Sequence, residues 1–140
     1  MGTSKILWMV LLLLAGSVST ELLAQKHLQE VTKKCNNQKE VNRSFIQRKN
    51  KETKELERIT YDFSIPGSSP LIQEIKRAFE QDRADAYQVA EEEKDGKTNW
   101  YYRFATDKGS LVYSLDSRRN KTSNEEIFSF TVSERFEKED

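Results

Sequence analysis

Apolar and polar residues alternate along much of the chain after residue 58. The clearest example spans residues 59–65, where every second residue is apolar: Ile59, Tyr61, Phe63 and Ile65. Side chains of a β-strand point to alternate faces, so this spacing places all of these apolar groups on one face. The pattern therefore predicts a half-buried strand.

The same period of two recurs in the second half of the chain. Further strands are predicted over residues 86–92, 98–106, 111–115 and 128–132, and a first strand is predicted to begin at Val41. Asp95 and Gly96 form a hairpin-turn dipeptide between two of these strands, since glycine tolerates positive φ. Short turns join antiparallel neighbours, whereas parallel strands need long crossovers. We therefore predict an antiparallel meander.

Residues 71–79 follow a helical period instead. Apolar side chains recur there at spacings of three and four: Leu71, Ile72, Ile75, Ala78 and Phe79. This spacing predicts one amphipathic helix, with Ser69 as its N-cap and Pro70 at its first position. The predicted order is ββαββββ. It indicates an α+β fold in which the helix packs on one face of a mostly antiparallel sheet.

The first 24 residues have the layout of a signal peptide. Lys5 precedes an apolar run over residues 6–15, small polar residues follow, and Ala24 precedes Gln25. The run is shorter than the roughly 20 residues of a spanning helix. We expect cleavage near Ala24 and export to the periplasm or the extracellular space, without stable membrane insertion afterwards. Cleavage near Thr20 and an uncleaved anchor are the alternatives.

The remaining chain divides by composition into three parts. Residues 25–40 form a polar lead-in, residues 41–136 a single α+β domain, and residues 137–140 a charged tail. A short helix within the lead-in is the alternative, although its apolar positions Leu28 and Val31 form only a thin stripe. The lead-in contains Cys35, the only cysteine, which we interpret as an incidental residue of a mobile segment. A lone thiol could instead join two chains in an oxidising compartment.

Charge and motif content exclude several classes of function. The chain has 23 basic and 23 acidic residues, so it lacks the basic field that attracts nucleic acid. A single histidine and a single cysteine are too few for the usual zinc ligand sets. Phosphate-binding and hydrolase motifs are not found in the sequence. We therefore predict no catalytic residues, no metal and no cofactor.

One segment resembles a known family. It comprises Phe63-Ser64-Ile65-Pro66, Leu71-Ile72, Ala78-Phe79-Glu80-Gln81-Asp82 and Ala86-Tyr87. Over about residues 41–88 it is similar to short exported bacterial proteins described only as a domain of unknown function. The last strand, residues 129–132, departs from the aromatic-rich ending of that family. The resemblance implies export and an α+β fold, and it brings no activity.

Aromatic residues on the predicted strands suggest a binding surface. Tyr101, Arg103, Tyr87 and Tyr113 are the candidates, because one helix cannot cover every face of these strands. Tyrosine brings contact area together with a polar group. Cross-strand packing in the core is the competing interpretation of the same residues.

These features favour a non-enzymatic binding or interaction module of the cell envelope, whose partner is an unknown protein or a glycan. A small carboxylate-dependent hydrolase acting on glycans is one alternative, because Glu91 and Glu93 share a strand face. A structural or assembly component, joined through a strand edge or through Cys35, is the other. The sequence does not predict an oligomeric state.

Overall fold

A computed structural model describes residues 25–137 of the chain. The predicted signal peptide and residues 138–140 lie outside this range. The helices of the described part are α1 (Lys26–Asn37) and α2 (Leu71–Asp82), and a 3-10 turn, Arg83–Asp85, follows α2. The strands are β1 (Asn42–Lys49), β2 (Leu56–Pro66), β3 (Gln88–Lys94), β4 (Lys97–Thr106), β5 (Gly109–Arg119) and β6 (Glu126–Phe136).

All strands of the described part form one antiparallel sheet in the order β1-β2-β6-β5-β4-β3. Strands β3 to β6 follow one another as a meander, and β6 then pairs with β2 in the middle of the sheet. The predicted α+β class and the antiparallel sheet are confirmed. At the β3–β4 turn, Asp95 and Gly96 both have positive φ, 54° and 74°. A two-residue hairpin turn of type I′ requires positive φ at both of its central residues.

The predicted order ββαββββ with a single helix is wrong, because the supposed lead-in contains α1. This helix has a narrow apolar stripe, Leu28, Val31 and Cys35, and all three side chains are buried. It packs antiparallel to α2. Lys34 near the end of α1 pairs with Glu74 near the start of α2 at 2.7 Å. The Leu28 amide near the start of α1 donates a hydrogen bond to Asp82 at the end of α2. Isolated helices of this length are marginal in water, so α1 depends on its contacts with the rest of the fold.

Aromatic side chains fill the space between the helices and the sheet. Phe79 of α2 lies edge-on to Trp100, Tyr102 and Phe130, with ring centroids 5.7, 4.8 and 6.1 Å apart. Such T-shaped contacts add to the free energy of burying the rings. Ser69 supports the start of α2, because its hydroxyl accepts a hydrogen bond from the Leu71 amide at 3.2 Å. The core therefore lies on one face of the sheet, which we call the covered face.

Candidate functional site

The opposite face of the sheet, here called the open face, is polar. The alternation seen in the sequence directs the residues between the buried positions of each strand to this side. Strand register brings a group of hydroxyl, carboxylate and tyrosine side chains together at its centre. They are Thr60, Asp62, Ser64, Tyr101, Ser114, Asp116, Ser129, Thr131 and Ser133.

Hydrogen bonds between neighbouring strands hold this centre in place. Asp62 on β2 accepts from the Ser129 hydroxyl at 2.6 Å and from the Thr131 hydroxyl at 3.2 Å, both on β6. The hydroxyls of Thr60 and Ser133 are 3.0 Å apart in the same pair of strands. Side chains fixed by one another lose little conformational entropy when a ligand binds. The centre of the open face is therefore preorganised.

Asp116 on β5 extends the polar surface towards the β3–β4 turn. It lies directly opposite Ser129, and its pKa is raised, first by burial and second by the charge of Asp62. The carboxylate borders a shallow depression of about 340 Å³. The lining residues are Glu92, Lys94, Asp95, Lys97, Thr98, Asn99, Asp116 and Ser117. Its lining therefore carries both hydrogen-bond acceptors and hydrogen-bond donors.

Tyr101 and Arg103 of β4 both lie on the open face, one row of the sheet apart. Tyr101 is half-buried between two small cross-strand neighbours, Ala90 on β3 and Ser114 on β5. Its ring is therefore the largest group in its row. Arg103 is also half-buried, and its Nε has no hydrogen-bond partner among residues 25–137. The structure thus brings these two predicted binding residues together.

The other two predicted binding residues lie elsewhere. Tyr113 is 1% exposed on the covered face, with its ring centroid 5.8 Å from that of Phe104, so it belongs to the core. Tyr87 is 58% exposed. It directly precedes Gln88, the first residue of β3, which lies on the open face, so the alternation of the strand places Tyr87 on the covered side. Its amide donates to the Arg103 carbonyl at 3.0 Å. Neither tyrosine lines the open face.

The acidic pair considered for hydrolysis occupies the edge of the covered face. Glu91 accepts a hydrogen bond from the Tyr102 hydroxyl and lies 3.5 Å from Arg83 Nε. Glu93 lies 3.5 Å from the ammonium of Lys76. Each carboxylate has its own cation, whereas glycoside hydrolysis requires two carboxyl groups facing one substrate bond. The geometry does not favour the hydrolase alternative.

Cys35 is fully buried in α1 and is not part of a mobile segment. Burial raises the pKa of its thiol to about 12, and the thiolate is the reactive form of cysteine. A link between chains through Cys35 would first require α1 to leave the core. The thiol therefore gives no support to the assembly alternative.

Sequence reasoning did not select Asp62, Asp116, Ser129 or Thr131. The sequence does place them on the open face, because they occupy the polar positions between apolar residues in their strands. What joins them is the pairing of β6 with both β2 and β5. Within the described range, His, Cys, Asp and Glu side chains form no group of three or more that could hold a metal ion.

The fold and the site define a two-layer α+β protein in which helices cover one face of an antiparallel sheet and a polar face is left open. The chain belongs to the family described as domain of unknown function DUF5024, whose model matches residues 25–133. The match confirms the resemblance and extends it to α1 and the later strands. Searches of curated proteins and of solved structures find no match. In residues 25–137, no helix is long and apolar enough to cross a membrane.

Proposed function

We propose that this chain is an exported, non-enzymatic protein of the cell envelope that binds a glycan on its open face. One observation carries the proposal: Tyr101 rises between small neighbours, beside Arg103 and one row from Asn99 and Asp116. A sugar has an apolar ring face and a rim of hydroxyls. An aromatic ring surrounded by hydrogen-bonding side chains complements both parts.

The composition of the open face favours a glycan over a protein partner. Protein interfaces usually have a core that is depleted of charged residues and more apolar than its rim. At the centre of the open face most side chains are instead hydroxyls and carboxylates, several of them already hydrogen-bonded to one another, and the apolar Val112 among them is only 9% exposed. Among the described residues on this face, Ile46 is an exposed large apolar side chain, but it lies on the edge strand β1.

Affinity electrophoresis tests the binding proposal. The purified protein is run through gels that contain a neutral β-glucan, a mannan or polygalacturonate, and retardation by at least one polymer is expected. Tyr101→Ala should weaken that retardation about tenfold, which corresponds to about 1.4 kcal/mol of binding free energy. Tyr87→Ala is the matched control, because it removes an exposed tyrosine that does not lie on the open face. Equal losses in both variants, or no retardation by any polymer, would contradict the proposal.

Export is tested separately by the mass of the protein recovered from the producing cell. Cleavage near Ala24 predicts a mature chain that begins at or close to Gln25. An intact chain that still carries Trp8 and stays with the membrane fraction would contradict export.

A further inference from the structure

Three arginines stand side by side on the open face. Arg48 on β1 lies directly opposite Arg58 on β2, and Arg58 lies directly opposite Arg135 on β6. Residues opposite one another on neighbouring strands point to the same face, with Cβ atoms about 4.5–5.5 Å apart. We call these residues the arginine row. It runs across the strands at the end of the open face that is remote from Asp116.

The charges of the arginine row are poorly compensated within the fold. Like charges directly opposite on neighbouring strands are destabilising, and arginine cannot relieve the repulsion by losing its proton. Among residues 25–137, Arg48 makes one ion pair, with Glu57 at 3.6 Å, and the side chains of that pair are 67% and 37% exposed. Arg58 and Arg135 make no ion pair within the same range.

Two polar groups without hydrogen-bond partners lie next to the arginine row, one on β5 and one on β4. Ser110 lies directly opposite Arg135, is 1% exposed, and its hydroxyl has no hydrogen-bond partner in the described part of the chain. Arg103, with its unpartnered Nε, is the diagonal neighbour of Ser110 on β4. Buried polar groups without partners are rare, because each costs free energy. Both atoms can donate but are themselves buried, so a ligand on this face would first meet the exposed side chains of Arg48 and Arg135.

We propose that the arginine row binds an acidic polysaccharide that carries a carboxylate or sulfate on successive sugar units. This inference rests on the proposed glycan binding and specifies the class of glycan. The chain would lie across β1, β2 and β6 towards Arg103, with anionic groups spaced like the strands, about 4.8 Å apart. Arginine suits this role because its planar guanidinium donates two parallel hydrogen bonds to a carboxylate or a sulfate.

Other polyanions fit the open face less well. Asp62 lies four residues along β2 from Arg58, about 13 Å away, and an anionic membrane bound to this face would also meet that carboxylate. Single-stranded nucleic acid is usually held by aromatic stacking. Tyr101 is the only aromatic side chain on the open face of the described strands, and it lies in a different row from these arginines.

The experiment measures binding of polygalacturonate to the full chain by calorimetry at low and at physiological salt. The double variant Arg58→Gln/Arg135→Gln should bind at least tenfold more weakly and with a smaller salt dependence. Arg77→Gln serves as the charge control, because Arg77 is exposed on α2, on the other side of the molecule. Its affinity should change less than twofold. Both substitutions in the double variant relieve repulsion, so its thermal stability should not fall.

Several outcomes would overturn the inference. Unchanged affinity of the double variant, or an equal loss with Arg77→Gln, would show that the arginine row is not the site. Tighter binding of oligothymidylate or of phosphatidylglycerol vesicles would assign it to a different polyanion, and self-association that depends on the row would assign it to a second copy. Tyr101-dependent binding of neutral β-glucan without binding of polygalacturonate would reject the acidic ligand and leave the proposed function standing. Binding of neither polymer would reject both.

Discussion

The two faces of the sheet use the same strands for different purposes. On β2, Tyr61 and Phe63 face the helices and are buried, whereas Thr60 and Asp62 face the opposite side and remain half-buried. The covered face therefore supplies most of the apolar burial that stabilises the fold. The open face contributes hydrogen bonds and leaves polar groups accessible. Substitutions at adjacent positions in the sequence should then change the stability and the proposed binding almost independently.

The two faces also differ in the surroundings of their carboxylates. Asp62 on the open face accepts hydrogen bonds from two hydroxyls. Glu134 on the covered face is 7% exposed, and its Oε2 has no hydrogen-bond partner among the described residues. Burial raises its pKa, and the charge of Lys108 opposes that shift. The ionised Asp62 is thus stabilised by neighbouring donors, whereas Glu134 lowers the stability of the fold when it is ionised.

The largest expected effect compares one aromatic residue from each face. Phe79→Ala removes a fully buried ring that contacts three other rings and should lower the free energy of unfolding by about 3–5 kcal/mol. Tyr101→Ala, on the open face, should lower it by less than about 1 kcal/mol. Urea denaturation of both variants measures the difference. Similar losses would mean that the open face is also a core surface.

A smaller effect is expected where the two helices meet. The Asp82 carboxylate at the end of α2 accepts a hydrogen bond from the Leu28 amide at 2.7 Å, in the first turn of α1. Burial raises the pKa of Asp82, while hydrogen bonds from the Leu28 and His27 amides lower it. Asp82→Ala should cost about 1–2 kcal/mol, as the loss of a helix cap does. Asp82→Asn keeps an acceptor and should cost less.

Hydrogen exchange of the α1 amides, combined with urea denaturation, measures this effect. Asp82→Ala should increase the exchange rates of the α1 amides over those of the wild type and leave the sheet amides nearly unchanged. The reason is that the lost hydrogen bond anchors α1 and does not involve the sheet. Equal protection of α1 in the alanine and asparagine variants would show that the carboxylate does not act as its cap.

Local pattern predicted the elements whose stability is encoded locally. Alternation identified β2 to β6, and the spacing of Leu71, Ile75 and Phe79 identified α2. It missed α1, because a stripe as narrow as Leu28 and Val31 forms a helix only with partners elsewhere. One of those partners is Asp82, 54 residues away from Leu28. No local signal reports such a contact.

The candidate site was predictable to the same extent. Alternation against buried Trp100 and Tyr102 correctly separates Tyr101 and Arg103 from the core. The same rule assigns Tyr113 to the core, and the candidate surface should not have included it. Asp62, Ser129 and Asp116 become neighbours only because β6 inserts between β2 and β5. The sequence does not specify that insertion locally, so the polar centre and the arginine row became visible only in the structure.

The smallest predicted effect is a gain in stability. Because burial raises the pKa of Glu134 in the folded state, its contribution to stability is fully present below the unfolded pKa of a glutamate and is lost as pH rises through the folded value. Glu134→Gln does not titrate. It should match the wild type near pH 3 and exceed it by about 1 kcal/mol at pH 7.

Urea denaturation of the wild type and Glu134→Gln between pH 3 and pH 8 measures this difference. Glu125→Gln is the control, because Glu125 is exposed, and it should stay within about 0.5 kcal/mol of the wild type throughout. The pKa values of Asp82 and Asp116 are raised as well, but both residues are common to all three proteins, so their effects cancel in the comparison. A glutamine variant less stable than the wild type at pH 7 would mean that the ionised Glu134 has a stabilising partner. The charge of Glu134 would then be stabilised as that of Asp62 is on the open face.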